Sequence, residues 1–133
     1  MGREIKFRAK RIDNGEWVYG DYYRASNTHN IVVNHSDNEN DFDNHEVTSD
    51  SIGQFTELRD KNGVDIYEGD ILQGFSDFPS CYEVFYDNGS FRLRYKMKED
   101  TYYDWGYLHR IFEIKDMYAE VIGNIHEHLN LLK

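Results

Sequence analysis

The 133-residue chain holds one cysteine and one proline. A lone thiol, Cys81, excludes an internal disulfide, and no Cys/His set falls at zinc spacing, so no metal site is expected. That cysteine usage fits the reducing cytosol. Long apolar runs are also missing, and Met1 to Lys6 is charged from the start, which leaves no stretch of bilayer length and no signal-peptide pattern. Gly2 follows Met1, but Lys6 stands where a myristoylation signal carries Ser or Thr. These features predict a soluble cytoplasmic protein without a membrane partner. The glycines are spread as turn residues in neither P-loop nor dinucleotide-binding spacing, so no cofactor is expected.

Positive charge is scarce as well. Fifteen Lys and Arg face 25 Asp and Glu, for a net charge of −10. The average field therefore repels phosphate backbones and counts against nucleic acid as a partner. Aromatic residues, in contrast, are plentiful: eleven Tyr, eight Phe and two Trp favour strands and supply large packing units to a small core. The length fits one domain over residues 1–133.

Period-two patterns run along most of the chain. Ile5, Phe7 and Ala9 alternate with Lys6, Arg8 and Lys10, which predicts a strand with one apolar and one cationic face. Asp13-Asn14-Gly15 offers a hairpin turn into a strand at Trp17-Val18-Tyr19. Another strand is predicted at Asn30 to Asn34. From His35 to Asp50 the chain becomes rich in Asp, Glu, Asn and Ser, which reads as an acidic, mobile loop. Asp37, Glu39 and Asp41 are spaced like the start of a calcium loop. Phe42, however, stands where that loop requires Gly, and Thr48 where it requires Glu, so the segment reads as solvated loop.

The stretch Ile52 to Leu72 organises the rest. A strand, the turn Asp60-Lys61-Asn62-Gly63, a second strand at Ile66-Tyr67 and a sharp bend at Glu68-Gly69-Asp70 follow one another closely. Its run Ile52-Gly53-Gln54-Phe55-Thr56, Asp60-Lys61-Asn62-Gly63 and Ile66-Tyr67-Glu68-Gly69-Asp70-Ile71 resembles the signature of the YopX family of phage and prophage proteins. Arg3 to Ala9, Trp17 to Asp21 and Glu120 to Ile125 resemble that family's opening, second segment and close. The chain departs from the family pattern at Lys10, at His126 and His128, and between Lys96 and Met117. The resemblance implies an SH3-like barrel and a bacterial host cell, and no particular activity.

Downstream, Cys81 to Tyr86 and Ser90 to Tyr95 flank Asp87-Asn88-Gly89 and predict a second hairpin. Residues 101–116 fit either a strand or a helical stripe, with a strand or irregular arm preferred. A last strand is predicted over Tyr118 to Ile125, with a short helical turn in Glu127 to Leu132. The expected fold is all-β and mainly antiparallel, a small SH3-like barrel or rolled sheet of about seven to nine strands.

No catalytic constellation emerges. Cys81 reads as a buried structural residue, and His126 and His128 as surface histidines without a third ligand. Five residues stand out as candidate partner contacts. Arg92, Arg94 and Lys96 form a cationic stripe opposite Phe91, Leu93 and Tyr95. Glu68 and Asp70 flank the Gly69 bend, where Asp70 is placed to accept amide hydrogen bonds. The aromatic residues Phe91 and Tyr95 fall on the face opposite the cations, so stacking and charge would not cooperate on a nucleic acid. The reading that follows is a non-enzymatic accessory module that binds a protein or associates with itself. Self-association would use an open strand edge and the pairing of basic stripe with acidic loop. An acidic DNA mimic that inhibits a host nucleic-acid-binding protein is the alternative, and a small-substrate enzyme the third.

Overall fold

Alternating strands and Gly-containing turns build eleven strands among the described residues. A computed structural model describes residues 4–38, 40–74, 81–98, 101–110 and 119–132. It is mostly antiparallel β with two rolled sheets and no closed barrel. The chain divides into two compact units, Met1–Phe55 and Thr56–Lys133.

In the first unit, β1 (Phe7–Lys10) pairs with β2 (Trp17–Arg24), β2 with β3 (His29–Asn34), and β3 with β4 (Phe42–Val47). On the other side, β1 pairs with the start of β5 (Gly53–Arg59). Ala9, Ile31 and Val47 are buried together, with Phe7, Val18, Tyr22, Val33 and Ile52 packed around them. The sheet rolls because β4 returns to the end of β1. Arg11 bridges to Val47, Ile12 N–H donates to the Glu46 carbonyl at 3.0 Å, and Thr48 N–H donates to the Lys10 carbonyl at 3.0 Å. Ser51, in the 3-10 turn Ser49–Ser51, locks that junction by accepting from Lys10 N–H at 2.7 Å.

Three features of this unit differ from the sequence expectation. Strand β4 lies inside the stretch 35–50 expected to be loop. Its side chains are mainly exposed, so it carries little apolar signal, and it is held by backbone pairing to β3. Ile5 precedes the first strand and is exposed. Arg8, expected on an open cationic face, is buried because Trp17 covers it, with the guanidinium 4.6 Å from the ring centroid.

The second unit continues β5 and holds β6 (Asp65–Tyr67), which neighbours β5 in the first sheet. The bend at Glu68-Gly69 then leads into β7 (Asp70–Gln73) of the second sheet. That sheet has the order β10-β9-β8-β7-β11, where β8 is Cys81–Asp87, β9 Ser90–Lys98, β10 Thr101–Tyr107 and β11 Glu120–Asn124. The core of this unit joins Ile66, Leu72, Tyr82, Val84, Leu93, Leu108 and Ala119. Residues 101–107 are thus strand, residues 108–110 are helical, and 111–116 lie outside the described residues. The expected C-terminal turn is the 3-10 helix Leu129–Leu132.

Asp60 ties this unit together. It is buried, and its Oδ1 accepts from the amides of Asn62 at 2.8 Å and Val64 at 2.9 Å, which shapes the turn between β5 and β6. Its Oδ2 accepts from Val121 N–H of β11 at 2.9 Å. A carboxylate saturated by amides in this way is both a turn-former and a strand cap.

Candidate functional site

Strands β8, β9 and β10 carry the sequence-predicted stripe, and alternation puts Arg92, Arg94 and Lys96 on one face of β9, with a register shift against β10 before Lys98. The two-residue turn Asn88-Gly89 sets the register of the hairpin, so Glu83 lies opposite Arg94 and Phe85 opposite Arg92. Arg94 forms a forked pair with Glu83, with Nε to Oε1 at 3.1 Å and the terminal nitrogen to Oε2 at 3.1 Å. Its guanidinium also lies 4.5 Å from the Phe85 ring centroid and 4.3 Å from that of Tyr102. Arg92 Nε donates to Asp104 at 2.8 Å and its guanidinium lies 4.5 Å from the Tyr107 ring centroid. The hydrogen bond to Asp104 raises the Arg92 pKa above the ordinary arginine value.

A bulge makes the second half of this arrangement possible. Register shifts between Asp104 and Gly106, where Gly106 adopts φ of +124°, a conformation that L side chains rarely take. The extra residue reverses the alternation of β10. Trp105 stacks on Tyr82 in the core, at 4.5 Å between centroids, and Tyr107 emerges on the arginine side. The result is a polar and aromatic face of Glu83, Phe85, Arg92, Arg94, Tyr102, Asp104 and Tyr107. Tyr102 and Tyr107 keep 38% and 48% of their surface exposed.

This geometry revises two inferences from alternation alone. The arginines are not a bare cationic stripe, because Glu83 and Asp104 neutralise them in place. Phe91 and Tyr95 do pack with the core, as expected, but the neighbouring strands return other aromatic rings to the cationic face. The Glu83 pairing was legible in the Asn88-Gly89 turn. The Tyr107 placement was not, because a bulge shifts parity without a local signature strong enough to fix it.

Arg94 is expected to be structural as well as surface-forming. Arg94→Ala leaves the Glu83 carboxylate, whose side chain is only 5% exposed, without its partner, and a loss of about 2–3 kcal/mol is expected in denaturant melts. Arg94→Lys should recover less than half of that, because an ammonium cannot fork or stack between two rings.

Glu68 and Asp70 lie apart from this face in the chain's second bend. Asp70 is buried and its Oδ2 accepts from Tyr67 N–H at 2.7 Å, as the sequence suggested for this residue. Gly69 N–H donates to Val84 at 2.8 Å, and Ile125 N–H donates to the Gly69 carbonyl at 2.9 Å. Glu68 is half-buried beside them. The bend is a structural junction between β8 and the end of β11.

Other candidates resolve similarly. Cys81 is half-buried at the start of β8 rather than fully buried. His128 accepts from Asn124 N–H at 3.2 Å through Nδ1, and its ring packs so closely on Gly123 that an added Cβ there would lie 2.8 Å away. It therefore helps close β11. Among the described residues, no group of three or more His, Cys, Asp and Glu is arranged to hold a metal. No helix among them is long and apolar enough to cross a membrane. A half-open cleft of about 240 Å³ in the first unit is lined by Arg11, Ile12, Asp13, Asn44, His45 and Glu46. Its arginine is taken up by Asp13, with Nε to Oδ1 at 2.9 Å.

Fold and surface together define a small, mainly antiparallel two-sheet protein with an arginine and tyrosine face on its second sheet. The chain belongs to the YopX family: the family described as YopX protein matches residues 6–133. It is also similar in structure to protein EF1440 from Enterococcus faecalis, with a TM-score of 0.57 and 25% sequence identity over 99% of this chain and 100% of that one. No curated protein matches the sequence.

Proposed function

We propose that this YopX-family protein is a non-enzymatic accessory module of a phage or prophage, working in the bacterial cytoplasm through protein contacts. The observation that supports it is the face formed by Arg92, Arg94, Tyr102 and Tyr107. Arginine and tyrosine are the residues that dominate protein interfaces, because they combine large contact area with directed hydrogen bonds. Here the arginines are held in place by Glu83 and Asp104 before any partner arrives, so little side-chain entropy remains to be lost on binding.

The test is capture from bacterial lysate with tagged wild type and a Tyr102→Ser/Tyr107→Ser variant, the fold of each checked by circular dichroism. The reading expects specific capture by the wild type that falls at least about tenfold in the variant, as removal of two interface anchors should produce. Equal capture by both would contradict it. Loss on neutralising Asp37, Asp41 and Asp43 instead, with a host nucleic-acid-binding protein as the captured species, would favour the acidic-mimic reading.

A further inference from the structure

In an asparagine–glycine dipeptide the chain can attack itself, because glycine has no Cβ to shield its amide nitrogen from the preceding side chain. The sequence holds three such dipeptides, Asn14-Gly15, Asn62-Gly63 and Asn88-Gly89. All three are exposed at chain reversals, and their hydrogen bonds set them apart. Gly15 N–H donates to the Arg11 carbonyl at 3.0 Å, and Gly63 N–H to the Asp60 carbonyl at 3.0 Å. The asparagine side chains at these two sites are held as well. Asn14 Oδ1 accepts from Glu16 N–H at 2.9 Å, and Asn62 Nδ2 donates to Glu120 at 3.4 Å. Among the described residues, neither the Gly89 N–H nor the Asn88 side chain makes a hydrogen bond.

We propose that Asn88 is a site of spontaneous covalent modification, converting to aspartate and isoaspartate faster than Asn14 or Asn62 does. Solvent hydroxide removes the Gly89 amide proton, and the nitrogen attacks Asn88 Cγ. A bond from Gly89 N to Cγ forms, the bond from Cγ to Nδ2 breaks, and ammonia leaves with a proton taken from water. Water then opens the cyclic imide at one of its two carbonyls and gives aspartate or isoaspartate. A glycine amide that donates to a carbonyl must first lose that bond, which holds Asn14 and Asn62 back. The turn at Asn62 is clamped further by the buried Asp60 carboxylate, which accepts from the Asn62 and Val64 amides. At the β8–β9 turn, Asn88 has φ of +49° and Gly89 φ of +80°. Attack there requires the hairpin tip to leave this left-handed turn, a local opening that costs least at exposed chain reversals. The two products differ in consequence. Isoaspartate adds a methylene to the backbone of a two-residue turn that sets Asp87 opposite Ser90 and, through the same register, Glu83 opposite Arg94. It therefore loosens the hairpin that fixes Arg94, whereas aspartate adds only a negative charge.

Peptide mapping by mass spectrometry of the full-length folded protein, held in mildly alkaline buffer, tests this, since conversion shifts the peptide mass and chromatography separates the two products. Asn88 is expected to convert at least about tenfold faster than Asn14 and Asn62 in the folded protein, and the three rates to converge to within about threefold in concentrated urea, where the turn hydrogen bonds are gone. Asn88→Gln is expected to abolish the fast conversion and leave the slow ones, because the longer side chain closes its ring far more slowly. Conversion of Asn88 in the folded protein no faster than that of Asn14 or Asn62 would overturn the proposal. A rate ratio that persists unchanged in urea would overturn it as well, by assigning the difference to flanking sequence instead of to hydrogen bonding. The isoaspartyl form, separated from the mixture, is expected to unfold at a lower urea concentration than Asn88→Asp. Equal midpoints would overturn the link from this turn to the Arg94 register.

Discussion

Asp60→Ala is expected to lower the folding free energy by about 3–5 kcal/mol, enough to unfold much of a marginally stable small domain. The residue is buried, and its carboxylate receives three amide hydrogen bonds, from Asn62, Val64 and Val121. Truncation leaves these donors unsatisfied and removes the local device that shapes the Asp60 to Val64 turn. Asp60→Asn should be milder, at about 2 kcal/mol, because one amide oxygen can still accept while the amide nitrogen faces another donor. Urea melts followed by fluorescence measure both losses. Equal stability of wild type and Asp60→Ala would remove Asp60 from its structural role.

Gly20→Ala is the second large effect, at about 3 kcal/mol, and its origin is steric. An added Cβ would lie 2.1 Å from the Val32 carbonyl oxygen and 3.4 Å from Ile31 Cγ2. The first obstacle is backbone, which cannot rotate away as a flexible side chain would. Strand β2 pairs with β1 at Phe7 opposite Gly20 and with β3 at Asp21 opposite Val32, so relief on one side strains pairing on the other. Thermal melts should show a lower Tm with the β-sheet spectrum retained at low temperature. An unchanged Tm would contradict the close approach.

The hairpins were legible because their turns are local. Asn14-Gly15 and Asn88-Gly89 supply backbone conformations that few other dipeptides accept, and the alternation beside them sets the core face. The junction at Gly69 was legible for the same reason, including the amide-accepting role of Asp70. Strand β4 was hidden because backbone pairing holds it while most of its side chains remain in water. Arg8 was misplaced because Trp17 on the neighbouring strand, rather than anything in its own strand, covers it. The paired arginine face lay between these cases: Glu83 opposite Arg94 follows from a two-residue turn, whereas Asp104 and Tyr107 depend on where β10 bulges.

These distinctions bear on function. A bare basic stripe would attract acidic partners of many shapes, whereas arginines fixed between carboxylates and tyrosine rings favour a surface that matches their geometry. Within the second unit, Asp60 and Asp70 fix the turn before β6 and the bend into β7, and the face draws its side chains together from three strands of that same unit, β8, β9 and β10.

Hydroxyl-radical footprinting of the protein in its captured or self-associated complex tests the central claim most directly. Tyr102 and Tyr107 should lose most of their labelling relative to the free protein, while Tyr19 and Tyr23, 48% and 44% exposed on the first sheet, keep theirs. Unchanged labelling of Tyr102 and Tyr107 in a complex that protects other residues would contradict the assignment of this face as the interaction surface.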